Sequence, residues 1–224
     1  MKKIMFSDRF ALTQAVLEGR KTQTRRIINP QPEVSERMGM VWKGYGYGIT
    51  SPAHSPYFLR DVYRNFLSGT NYPQCRRYKL GEVLAVAQSY RNAGYDVDAL
   101  DRSPKDFRVV RGTLGQSKGW NNKMFVRADG CKNRIRITNV RVERLQDISD
   151  EDCIKEGVEL NDRQYEYDGQ KFYCVRGLGY WRGIGCDNFN SPREAYAALI
   201  DKISGKGTWE RNPYVFVYDF ELVK

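Results

Sequence analysis

The sequence predicts an α+β fold in which short helices flank a small β-barrel and long loop insertions interrupt it. Three observations predict this class. Runs that alternate apolar with polar or basic residues mark strands in the middle and at the end of the chain. Three stretches open with N-capping residues ahead of an apolar pattern. Glycines follow the shorter helices where a chain leaves a helix in the left-handed conformation. Helices and strands mixed in this way bury their apolar faces as an α+β layer arrangement.

Taken in order, residues 3–6, KIMF, read as a short strand. Ser7 or Asp8 then offers an N-cap to a helix carrying Phe10, Leu12, Val16 and Leu17, which Gly19 ends. Residues 29–77 are rich in Gly, Pro, Ser and Tyr, with GYGYG at 44–48, and read as an insertion. After the turn residue Gly81, residues 82–90, EVLAVAQSY, read as a strand, and residues 91–122 as a second irregular insertion. KMFVR at 123–127 and RIRITNVRVE at 134–143 alternate as strands do, and the change of parity between Ile137 and Val140 predicts a bulge. Ser149 caps a short helix, with Asp152 near the capping-box position, and Gly157 closes it directly after Glu156.

A third insertion, residues 159–190, contains GLGYWRGIG. Arg182 stands where a GxGxxG motif needs its third glycine, which excludes a dinucleotide site. Ser191, Pro192 and Glu194 start a helix through about Ile203, and residues 213–222 form the closing strand. The chain of 224 residues is read as one domain, 1–224, with no internal repeat.

Composition narrows the function. Hydrophobic residues at 41% and charged residues at 29% exclude a disordered chain, and no apolar run approaches the ~18 residues that span a bilayer. No leader of signal-peptide type is legible, so a cytoplasmic protein without a membrane partner is expected. The five cysteines form no CxxC pair, so reduced thiols and no metal site are expected, with Cys153 a core residue. The single histidine, His54, lies between two prolines and reads as a loop residue. Without imidazole, Ser-His-Asp and Cys-His catalysis and most zinc chemistry are excluded, and an enzyme here must take its acid and base from Lys, Glu, Asp or Tyr. No cofactor is implied. The formal charge of +10 and basic clusters at 20–26, 76–79 and 134–144, interleaved with aromatics, favour nucleic acid as a partner. The oligomeric state is not legible.

At GRKTQTRR, residues 19–26, the chain resembles the signature segment of ASCH-domain proteins, a branch of the PUA-like β-barrel superfamily. YKLGEVLAV at 78–86, the stretch 123–158 and WERNPYVFVYDFEL at 209–222 agree with it in order and context. Longer relatives of this kind occur in phage and prophage regions. Small members that resemble the chain at three positions are amidohydrolases that deacetylate N4-acetylcytidine. The resemblance implies Lys21, Thr24 and Glu156 as their counterparts here. Longer relatives carry an acidic residue in a VxE setting, whereas this chain has Val86, Ala87 and Gln88, so Gln88 takes a neutral, hydrogen-bonding version of that role.

Amide hydrolysis needs a nucleophile, a proton acceptor and a donor to the leaving amine, roles that Thr24, Lys21 and Glu156 can fill in that order. Like charges on Arg20, Arg25 and Arg26 favour a neutral lysine base, while a close Glu156 favours the ammonium, which leaves Lys21 the alternative role of oxyanion donor. Lys21 and Thr24 share a face in a turn but not in a regular strand. Arg20, Arg25, Arg26 and Gln88 are further candidates for ligand or phosphate contact. Tyr180 and Trp181, in the Gly-rich loop, are candidates to close over a pocket, while Trp209 reads as packing. Three functions compete: a metal-independent amidohydrolase acting on N4-acetylcytidine or a related acylated base, free or in nucleic acid; a non-catalytic module binding RNA or a modified base; and a ribonuclease, an activity also associated with some ASCH proteins.

Overall fold

The computed structural model describes residues 1–29, 31, 33–35, 39–41, 78–100, 112–161, 171–179 and 187–223. In chain order the elements are β1 (Lys3–Ile4), α1 (Leu12–Leu17), β2 (Gln23–Ile27), β3 (Glu33–Ser35), β4 (Gly39–Val41), β5 (Val83–Val86), β6 (Arg134–Arg144), α2 (Asp150–Lys155), β7 (Glu159–Leu160), β8 (Tyr173–Cys174), α3 (Pro192–Ser204), α4 (Thr208–Arg211) and β9 (Tyr214–Val223). The class is α+β. Five strands form a mixed sheet in the order β1-β5-β6-β9-β2, with β1 parallel to β5 and the other pairs antiparallel.

The spine of the sheet is the long antiparallel pair of β6 and β9. Ile137 faces Phe220 and Asn139 faces Asp219, so Thr138 is the extra residue of a bulge. The bulge explains the change of parity in the sequence: it turns Ile135, Ile137, Val140 and Val142 all toward the core, where each is buried. Against that face pack Ile4, Phe6, Val16, Leu145, Tyr196, Leu199 and the apolar residues of β9. Among the described residues the sheet does not close into the expected barrel. β1 and β2 remain its two edges, and strands of two and four residues at β1 and β5 are too short to carry pairing further round.

The capped helices form where the sequence places them. Ser191 accepts a hydrogen bond from the Glu194 amide at 3.2 Å, with Pro192 at the first helical position. Ser149 does the same for Asp152 at 3.2 Å. The first helix starts later than its cap residues suggest. Asp8 instead accepts from the Thr13 hydroxyl at 2.5 Å and pairs with Lys123 at 2.8 Å, and the chain enters α1 through Ala11 in the left-handed conformation.

Two expected strands are corrected. Lys123–Phe125 form a 3₁₀ turn and Val126 and Arg127 are extended but unpaired in the sheet, because the Lys3 ammonium gathers the carbonyls of Lys123, Met124 and Val126 while Asn122 accepts from the Met124 amide. The run 82–90 keeps only Val83–Val86 in the ladder. The insertions also carry structure: residues 91–122 contribute Leu114 to a second cluster with Tyr90 and Val126, and 159–190 contains the β7–β8 pair. Most of 29–77 lies outside the described residues, with His54. No described helix is long and apolar enough to cross a membrane.

Candidate functional site

Two helix ends build the site. α1 stops in a Schellman motif: Gly19 takes φ 75°, its amide donates to Val16 O at 3.0 Å, and Arg20 N donates to Ala15 O at 2.9 Å. α2 stops in the same way, with Gly157 at φ 105°, its amide bonded to Ile154 O at 2.9 Å and Val158 N to Cys153 O at 3.2 Å. The ends are stitched together by Thr22 N donating to Lys155 O at 3.0 Å. Gly157 permits the approach, since a Cβ there would lie 2.9 Å from Leu12 Cδ2.

Lys21 leaves the first reversal and buries its ammonium against the second. Nζ donates to both the backbone oxygen and Oε2 of Glu156, each at 2.6 Å, and the side chains are only 2% and 5% exposed. Glu156 is shared, its Oε1 accepting from Arg25 Nη1 at 3.2 Å. Arg25, whose side chain is 0% exposed, also binds Gln23, Glu143 and Asp152. Arg141 continues the chain of charges to Glu143 at 3.0 Å, Asp152 at 2.5 Å and Asp219 at 2.9 Å.

The pKa directions follow from this packing. Burial pushes Lys21 down, Arg26 and Arg25 push the same way, and attraction to Glu156 offsets only part of it. Arg25 goes the other way: burial works against its charge, but Glu156 and Glu143 more than compensate, so it is held protonated. Burial also pushes Asp152 up, and hydrogen bonds from Lys155 and Arg25 outweigh it, holding its carboxyl below the usual range. Cys153 is pushed by burial up to about 12, which makes it an inert core thiol.

Lys21, Thr24 and Glu156 line one cavity of about 150 Å³, bounded by the chain before α1, by β2 and by α3. Strand pairing begins at Gln23, so Lys21 precedes the alternation that would have separated it from Thr24. Among the described residues the Thr24 hydroxyl makes no hydrogen bond, and only two of the three ammonium N–H groups of Lys21 meet an oxygen. Arg26 also lines the cavity, with Nη2 donating to Met5 O at 2.6 Å. A cavity of this size matches the ~150 Å³ that holds a single six-membered ring, and falls below the ~300 Å³ of an ordinary drug-sized site.

The other candidates lie elsewhere. Arg25 is enclosed by carboxylates, so it braces the site and presents no donor to a phosphate. Arg20 pairs with Glu18 and Glu159 at the surface. Gln88 is buried, accepts from Asn133 Nδ2 at 2.7 Å and is not part of the cavity wall. Tyr180 and Trp181 lie outside the described residues. Sequence reasoning missed Tyr196, which α3 contributes to the cavity from within an apolar helix face where a tyrosine reads as core. It also missed Glu143, Asp152, Arg141 and Asp219 as the supports of Arg25. Comparison of the chain with protein-family models, curated proteins and solved structures gives no match.

Proposed function

We propose that this chain is an ASCH-type, PUA-like protein that receives a nucleobase in the Lys21, Thr24 and Glu156 cavity and hydrolyses N4-acetylcytidine or a related acylated base without a metal. The observation that carries the reading is the meeting of three groups at one ring-sized cavity: a buried lysine paired with a glutamate, and a threonine hydroxyl with no hydrogen bond among the described residues. The mixed sheet with its bulge and flanking helices supports the PUA-like part of the proposal.

In this reading Thr24 Oγ attacks the acyl carbon and the remaining N–H of Lys21 donates to the oxygen that becomes negative. The C–N4 bond breaks, the proton lost by Thr24 reaches N4 through the Lys21–Glu156 pair, and water then hydrolyses the acyl-threonine ester to acetate. Burial eases the proton's departure from Lys21, and Glu156 draws it back.

A second reading is binding without turnover, favoured by the satisfaction of the ion pair within the protein, Glu156 being already held by Lys21 and Arg25. The test is conversion of N4-acetylcytidine to cytidine by the wild type beside Lys21→Ala and Thr24→Ala. The expected result is turnover by the wild type that falls by about 10² or more in each folded variant. A wild type that binds the nucleoside and leaves it intact refutes the hydrolase and supports the binding module.

A further inference from the structure

Among the described residues, two side chains that line the cavity, Arg26 and Tyr196, carry donors with no partner inside the protein. Among the described residues Arg26 Nε is buried without a hydrogen-bond partner and Nη1 makes no hydrogen bond, while Nη2 donates to Met5 O at 2.6 Å and the guanidinium lies 5.9 Å from the centroid of the Phe6 ring. Tyr196 is 2% exposed, and among the described residues its hydroxyl makes no hydrogen bond, although its ring is fixed edge-on to Trp209 at 6.2 Å. A buried donor such as Arg26 Nε is expensive to leave unmade. The Tyr196 oxygen is not sealed in the way Arg26 Nε is, so its O–H keeps access to a partner at the cavity that the residue lines. Burial, reinforced by Glu156, holds that phenol well above its ordinary pKa, so it acts as a donor and not as a base.

We infer that Arg26 and Tyr196 read the ligand, donating from a guanidinium N–H of Arg26 and the O–H of Tyr196 to a carbonyl oxygen and the adjacent ring nitrogen on one edge of a planar heterocycle, the pattern that cytosine carries. The two residues reach the cavity from different elements, β2 and α3, and a ring between them fills the space available. Phe6, Leu12, Leu199 and Ile200 make the remaining wall apolar, which suits a neutral ring and disfavours a phosphate. This inference rests on the proposed nucleobase pocket but assigns the specificity to residues that do not take part in the cleavage, so it is tested by binding alone.

Ligand-observed NMR titration compares cytosine with 4-aminopyrimidine, which lacks the ring carbonyl. The wild type is expected to bind cytosine about tenfold more tightly. Tyr196→Phe and Arg26→Lys are each expected to weaken cytosine about three- to tenfold and to change 4-aminopyrimidine less. Equal affinity of the wild type for the two rings, no binding of cytosine, or cytosine binding unchanged in folded Tyr196→Phe overturns the inference. The comparison on the wild type stands even where a variant does not fold. Cytosine discrimination without turnover of N4-acetylcytidine sinks the hydrolase and leaves this inference intact.

Discussion

Replacing Glu156 by glutamine tests how the Lys21 charge is supported. The substitution keeps the shape of the side chain and removes the only carboxylate within ion-pair reach of Lys21 among the described residues, leaving the ammonium a backbone oxygen at 2.6 Å and a neutral amide. Breaking a buried pair from one side costs about 3–5 kcal/mol. The alternative for the protein is to release the proton. From an ordinary lysine pKa near 10.4, a neutral amine at pH 7 costs about 4.6 kcal/mol, so the two routes converge on the same figure. The loss corresponds to a fall in Tm of about 10 °C for a chain of this size.

Lys21→Met is expected to cost about half as much, because Glu156 keeps Arg25 Nη1 at 3.2 Å. The pH dependence has a definite sign. Lys21 is lowered in the folded protein and more so without Glu156, so the unfolded chain binds more protons and stability rises with pH, by up to about 1.4 kcal/mol per unit, until the unfolded lysine titrates near 10.4. Urea unfolding of the parent and both variants at pH 7, 8 and 9 measures all of this. A Glu156→Gln protein within about 1 kcal/mol of the parent at pH 7, or a deficit that does not shrink toward pH 9, refutes the reasoning.

Gly157→Ala places a Cβ 2.9 Å from Leu12 Cδ2 at φ 105°, and is expected to cost about 2 kcal/mol in thermal unfolding; a loss under about 0.5 kcal/mol refutes the strain. Asp152 is held below its ordinary pKa, so the stability it contributes is present above the unfolded value near pH 4 and is lost as pH falls through the folded one. Asp152→Asn is therefore expected to flatten the acid limb of the stability curve, and an unchanged acid limb by circular dichroism counts against the network.

Local chemistry was legible in the sequence and cooperative chemistry was not. Ser149 and Ser191 cap helices because their hydroxyls meet amides three residues on, and Gly19 and Gly157 end helices because φ is positive there; each depends on neighbours in the chain. The bulge at Thr138 was visible as a slip of parity. The strand expected at 123–127 was lost to Lys3, an ammonium more than a hundred residues away that no local pattern announces. In the site, Lys21, Thr24 and Glu156 came from resemblance. The carboxylates that hold Arg25 come from β6 and α2, and Tyr196 is one polar atom on an apolar helix. Those partnerships exist only in the assembled fold.

The two chain reversals that frame the site are separated by 135 residues from Lys21 to Glu156, and β2 takes its sheet partner, β9, from the last ten described residues. A nascent chain emerging from the ribosome therefore exposes Lys21 and Arg25 long before the carboxylates of Glu143, Asp152 and Glu156 are available to pair with them. Until residue 156 arrives the lysine stays hydrated, and until residue 214 arrives β2 is an unpaired ribbon. The pocket is accordingly among the last things the protein makes, and any truncation from the C-terminus that removes β9 abolishes it while leaving every proposed catalytic side chain in the chain.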